Sequence, residues 1–146
     1  MELIKILVLE NETNPGIETS LRDGNIAHSI TRAKTKAEFL EQIDTKPDIV
    51  LSECEIPNFG GFAALAILRE RDLNIPFIFV TGVATPDVII CAFRKGATDY
   101  VLKDKIDEGL ALAVCQAIEK AKLKIIPMCS YCRGIRIGSD VKAPWI

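Results

Sequence analysis

A fivefold alternation dominates this sequence: a short run of branched apolar residues, a few polar ones, then a stretch with apolar residues at helical spacing, five times over. Such a chain has few options. Strands separated by helices return to the sheet in parallel, with right-handed crossovers and helices on both faces. The expected fold is therefore α/β, a doubly wound five-stranded parallel sheet, and 146 residues suit one such domain.

Residues 3–9 form the first apolar run and stop at Glu10, Asn11 and Glu12, as a buried strand entering a polar loop does. Thr13 or Asn14 can cap the next helix, Pro15 suits its first turn, and Gly24 suits a left-handed end after Asp23. Residues 25–32 alternate apolar and polar, which predicts a half-buried strand near the sheet edge. A helix starts at Thr35, with Ala37, Leu40 and Ile43 on one face, and closes before Lys46 and Pro47. The third strand, 48–52, delivers Glu53 to its carboxyl end, and Pro57, Gly60 and Gly61 interrupt the chain before a helix from 62 to about 72. Residues 76–81 are almost wholly apolar, the pattern of an interior strand, and end at Thr81. The helix opened by Pro86 turns Val88, Ile89, Ala92 and Phe93 inward and stops at Gly96. Residues 99–102 make the last strand, ending in Lys103, and Ile106, Leu110, Val114, Ala117, Ile118 and Ala121 mark a closing amphipathic helix.

A formal net charge of −2, without a dense Lys/Arg stripe, offers no footprint for nucleic acid, so direct nucleic-acid binding is not expected and the partner should be a protein. The first apolar run is broken by Lys5 and is too short for a signal-peptide core or a membrane span. A cytoplasmic protein with no membrane contact is expected. Five cysteines, Cys54, Cys91, Cys115, Cys129 and Cys132, form an odd set that suits reduced thiols rather than a disulfide framework.

In open parallel sheets, chemistry gathers beyond the carboxyl ends of the strands, where the strand order reverses. Glu10, Asn11, Glu53, Thr81 and Lys103 all fall at such ends. The acidic cluster after the first strand, the Pro-Asp-Ile-Val-Leu-Ser-Glu run ending at Glu53, Pro57 and Gly61, Thr81, Tyr100 and Lys103 follow one another as in response-regulator receiver domains. Residues 3–122 resemble that family. The resemblance implies a flavodoxin-like (βα)5 fold with strand order 2-1-3-4-5, here over residues 1–123, and a non-enzymatic signalling role in a two-component phosphorelay. It implies a sensor histidine kinase or other signalling protein as partner. In such domains two acidic residues after the first strand and an aspartate after the third hold Mg²⁺, and that aspartate takes a phosphoryl group. A hydroxyl at the place of Thr81 and an ammonium at that of Lys103 bind the phosphoryl oxygens, the aromatic at Tyr100 rotates, and the backbone carbonyl at Glu55 helps ligate the metal. The helix, strand and helix over residues 86–122 form the family's common partner or homodimer face.

Departures from the pattern carry as much information. Asn11 is neutral where a second metal-binding carboxylate is usual, so the Mg²⁺ site should be weakened or lost. Glu53 replaces the acceptor aspartate and extends its carboxylate by one methylene, roughly 1.5 Å. A misplacement of ~1 Å can cost ~100-fold in rate, so phosphoryl transfer to Glu53 is not expected. The longer carboxylate can instead reach Lys103 or Thr81 and imitate an aspartyl phosphate, or simply balance the charge of Lys103. Asp104 stands where the family has proline after the lysine. The expected function is thus a pseudo-receiver acting through protein contacts. The alternatives are a phosphorylatable Mg²⁺-dependent response regulator and, in another class, a flavodoxin-like cofactor-binding enzyme. The latter conflicts with Glu10-Asn11-Glu12, which would repel a phosphate where a Gly-rich loop is needed.

Cys129 and Cys132 have metal-motif spacing, but a structural Zn²⁺ site needs about four ligands, and His28 is the chain's single histidine. Residues 124–146 are therefore read as a weakly structured extension. His28 reads as a core or surface residue, and Cys54 as a small residue shaping the mouth around Glu53 rather than a reactive thiol.

Overall fold

The computed structural model describes residues 3–12, 14–54, 59–71, 74–82 and 85–123. In chain order these form β1 (Ile4–Leu9), α1 (Pro15–Asp23), β2 (His28–Ala33), α2 (Lys36–Ile43), β3 (Ile49–Ser52), α3 (Gly61–Arg71), β4 (Phe77–Thr81), α4 (Pro86–Arg94), β5 (Asp99–Leu102), a single 3-10 turn (Lys103–Lys105) and α5 (Ile106–Leu123). All strand pairs are parallel, and the sheet order is β2-β1-β3-β4-β5. The expected doubly wound sheet is present. Its order reverses between β1 and β3, which places the open mouth of the sheet between their carboxyl ends.

The sheet separates two apolar layers. Leu7, Leu9, Val50, Phe77 and Phe79 face Phe39, Leu65 and Leu68 of α2 and α3 on one side. Ile6, Val8, Leu51, Ile78 and Val80 face Ile17, Leu21, Leu110 and Val114 of α1 and α5 on the other. The alternation within β1 and β4 thus feeds both layers, which is why those strands read as continuous apolar runs. Among the described residues no helix is long and apolar enough to cross a membrane.

Several local expectations are corrected. Asn14 caps α1 by accepting the Gly16 N–H, but Gly24 is not left-handed (φ −84). The positive φ falls one residue later, on Asn25 (φ 60), so β2 begins at His28 rather than at 25. Gly24 is required for a different reason: a Cβ there would lie 2.6 Å from the Ala111 Cβ, where α1 and α5 approach. In α2 the cap at Thr35 sets the phase so that Phe39 and Ile43 are buried, while Ala37 is exposed. Phe93, expected to face inward, is 46% exposed, because Ala92 takes the inward direction of α4. Gly96 does end α4, with φ +104. The stretch 124–146, with Cys129 and Cys132, lies outside the described residues.

Candidate functional site

The sheet itself fixes the two acidic residues at its mouth. The Glu10 N–H donates to the Ala33 carbonyl at 3.1 Å and the Glu53 N–H to the Leu9 carbonyl at 3.0 Å, each continuing a strand ladder one step past its end. Glu10, Asn14, Ser52, Glu53, Val80 and Lys103 line the cleft between them. Behind Glu53 the chain is held tightly: the Ser52 hydroxyl donates to the Glu53 carbonyl at 2.9 Å, and the Gly61 N–H donates to the Cys54 carbonyl at 3.0 Å. A Cβ on Gly61 would lie 2.2 Å from the Glu53 carbonyl oxygen, so the start of α3 can sit against the Glu53 backbone only because this residue is glycine.

Both carboxylate oxygens of Glu53 are engaged. Lys103 Nζ donates to Oε2 at 2.7 Å, across the sheet from the end of β5, and the backbone N–H of Asn11 donates to Oε1 at 3.2 Å. The Glu53 side chain is 17% exposed and that of Lys103 42%. Lys103 reaches this position with Asp104 following it in the 3-10 turn. The side of Asn11 is exposed, and its contribution here is the backbone N–H.

Glu10 is held differently. Its side chain is 3% exposed, and Oε1 accepts Nε of Arg32 at 3.1 Å and the Asn14 N–H at 3.4 Å. Arg32 uses a second nitrogen for Glu18 Oε1 at 2.5 Å, so one guanidinium joins β2, β1 and α1. Burial raises the Glu10 pKa, aided by the nearby charge of Glu53 and opposed by Arg32. The Arg32 hydrogen bond and charge lower that of Glu18.

Thr81 is buried at the carboxyl end of β4, between β3 and β5. On β5, Tyr100 is half-buried, its ring centroid 6.1 Å from that of Phe79, and its hydroxyl is hydrogen-bonded to the Cys54 thiol. Burial first, then Cys54, pushes this phenol up to about 12. The expected site residues Glu10, Asn11, Glu53 and Lys103 therefore meet at one mouth, and Thr81 and Tyr100 stand on the two strands beyond β3. Glu55 and Pro57 lie outside the described residues. Among the described residues, no group of three or more His, Cys, Asp or Glu side chains gathers as a metal site.

Three participants were not anticipated: Arg32, Glu18, and the contact of Cys54 with Tyr100. The first was legible in principle. A basic residue near the end of the edge strand, beside a strand followed by an acid, meets that acid once β2 and β1 are paired. Cys54 is buried at 7% exposure, consistent with a packing residue at the mouth.

Residues 9–115 match the response regulator receiver domain. The chain belongs to the response regulator receiver family. The DNA-binding transcriptional regulator NtrC of Escherichia coli strain K12 is 36% identical over 84 residues, 56% of this chain and 18% of that protein. The regulatory protein LuxO of Vibrio cholerae is 32% identical over 80 residues, 54% of this chain and 18% of LuxO. This chain thus spans about a fifth of the length of either relative. Among solved structures, a response regulator receiver domain protein from Clostridium thermocellum matches 84% of this chain and 99% of its own, with a TM-score of 0.74 and 25% identity. The receiver domain of a LuxO repressor protein from Vibrio parahaemolyticus shares the fold at a TM-score of 0.76 and 20% identity, covering 86% of this chain and 97% of its own. The chain is a receiver module of the kind found in two-component response regulators.

Proposed function

We propose that this chain is a phosphorylation-independent pseudo-receiver, which carries its signal through protein contacts, and that Glu53 stands at the phosphoacceptor place. One observation carries the reading: both oxygens of Glu53 are already bound, Oε2 by Lys103 at 2.7 Å and Oε1 by the Asn11 N–H. In the family the corresponding ammonium meets an oxygen of the phosphoryl group. Here the longer side chain supplies a carboxylate oxygen to that ammonium directly, as an ion pair formed without a phosphoryl group. A nucleophilic carboxylate must instead present a free oxygen in line with phosphorus, and a displacement of ~1 Å costs ~100-fold.

The Mg²⁺ that the family uses does not fit the described donors. Magnesium demands nearly octahedral oxygen ligation at ~2.0–2.1 Å, whereas Asn11 is neutral, the ionic partner of Glu10 is Arg32, and that of Glu53 is Lys103. The family resemblance alone supports the alternative of a phosphorylatable, Mg²⁺-dependent receiver.

Tyr100 turned towards Cys54, beside Glu53, supports a domain held in one switch state. The contact face of α4, β5 and α5 presents Ile90 at 50%, Phe93 at 46% and Leu112 at 61% exposure, a surface suited to a sensor kinase, another signalling protein or a second copy of the chain. The chain acts as a binding module rather than an enzyme, in the cytoplasm. Beryllofluoride, an analogue of the phosphoryl group, tests the reading. With Mg²⁺ present it should leave the amide NMR spectrum of the wild type unchanged; shifts at Thr81, Tyr100 and Lys103 would show an acceptor still at work.

A further inference from the structure

Arg32 belongs to none of the receiver motifs, yet it makes the most buried ionic contact of the mouth. It pairs in register with Val8 of β1, near the carboxyl end of the edge strand. From there its guanidinium binds the 3%-exposed carboxylate of Glu10 at 3.1 Å and the more exposed Glu18 at 2.5 Å. A carboxylate removed from water to this degree keeps its charge only with a hydrogen-bonded cation beside it. Glu10 and Glu53 at the mouth, with Glu18 beside it on α1, pair with two cations, Arg32 and Lys103, so most of the charge that would attract a divalent ion is already compensated.

We propose that Arg32 is the resident cation of the acidic mouth, supplying from the protein itself the positive charge that a divalent metal supplies in metal-dependent receivers. The pseudo-receiver reading above explains why this arrangement is tolerable, and the inference rests on it: a fixed guanidinium balances Glu10 but leaves no open coordination position. Arginine suits the task because it stays charged at any working pH and its planar fork can hold two carboxylates at once. The fork also fastens α1 to the edge of the sheet, so the mouth is assembled without added metal. Arg32 acts here as a positioning residue, through Glu10 and Glu18.

The test uses the full chain. Wild type, Arg32→Gln, Arg32→Lys and Arg32→Gln/Asn11→Asp are titrated with Mg²⁺ by amide NMR, with Mn²⁺ as a paramagnetic probe. Each is also unfolded in urea with and without Mg²⁺. Wild type and Arg32→Lys should show no saturable shift at Glu10, Asn11 or Glu53 and a urea midpoint indifferent to Mg²⁺. Arg32→Gln should be less stable and should regain stability with Mg²⁺. Arg32→Gln/Asn11→Asp, which makes the mouth more negative by two unit charges, should bind Mg²⁺ saturably and about tenfold tighter than Arg32→Gln alone, as the added carboxylate beside a divalent ion requires. Because Arg32→Gln strands Glu10, Arg32→Gln/Glu10→Gln is measured as well and should recover stability even if the single variant does not fold. Saturable Mg²⁺ binding by the wild type at these residues, or an Arg32→Gln variant as stable as wild type, overturns the proposal. The failures are separable: phosphoryl uptake by a wild type blind to Mg²⁺ counts against the pseudo-receiver reading, and Mg²⁺ binding without phosphoryl uptake counts against Arg32.

Discussion

The start of α3 offers a sharp test of how the mouth is held. At Gly61 an alanine Cβ would lie 2.2 Å from the Glu53 carbonyl oxygen, 2.8 Å from the Phe79 ring and 2.9 Å from Ser52 Oγ. Ordinary contacts of this kind begin at 3.4 Å, so the Glu53 carbonyl and the first turn of α3 must separate by more than an ångström. Neither neighbour yields easily: Phe79 is fully buried, and the Glu53 backbone is tied to Leu9 on β1. Overpacking of a well-filled site costs about 1–3 kcal/mol, and a clash with backbone and a fixed ring belongs at the top of that range. Gly61→Ala should therefore lose about 3 kcal/mol, roughly a 10 °C fall in Tm for a domain of this size. Gly82→Ala is the control, since nothing lies within 4 Å of a Cβ there, and it should stay within about 0.5 kcal/mol of wild type. Urea and thermal unfolding followed by circular dichroism measure both. A Gly61→Ala protein as stable as Gly82→Ala would refute the claim that close approach at residue 61 fixes Glu53.

Gly109 sits inside α5 with open space around its missing Cβ, so Gly109→Ala should add about 0.5–1 kcal/mol in the same unfolding assay. The Glu53 and Lys103 pair is partly exposed on the lysine side, and a double-mutant cycle with Glu53→Gln and Lys103→Met should give a coupling of only about 0.2–1 kcal/mol, so the pair's role is positional rather than stabilising. A phenol raised to about 12 in the fold favours folding below its unfolded pKa, near 10, and loses that contribution as the pH climbs from there to about 12. The stability of wild type should accordingly fall more steeply than that of Tyr100→Phe between those pH values, measured by urea midpoints. Glu10 titrates above its ordinary range and its hydrogen bond to Arg32 works against that rise; carboxyl-carbon NMR should find it higher still in Arg32→Gln.

Much of the fold could be read because it rests on period and punctuation. Continuous apolar runs named β1 and β4 as interior strands, and Pro15, Pro86 and Gly96 marked helix ends that the structure keeps. Errors came where two solutions have the same local signature. Gly24 and Asn25 both accept a turn, and the choice between them was decided by α5 packing against Gly24, a contact 87 residues away in sequence (Ala111). Phe93 shares its helical spacing with Val88, Ile89 and Ala92, but the inward direction of α4 goes to the smaller Ala92, which is fully buried while Phe93 is 46% exposed. At the site, the strand-end rule and the family motif together named Glu10, Asn11, Glu53 and Lys103. Arg32 escaped because a strand's polar face reads as solvent until its neighbour is known, and the neighbour here is followed by a buried acid.

The central claim is that Glu53, engaged by Lys103 and Asn11, does not accept a phosphoryl group. Intact-mass spectrometry after incubation with acetyl phosphate and Mg²⁺ tests it most directly, with a metal-dependent receiver domain as positive control for the donor. The account predicts no change in the mass of this chain while the control is modified; a gain of about 80 Da, one phosphoryl group on a carboxylate, located at Glu53 by peptide mapping, would contradict it.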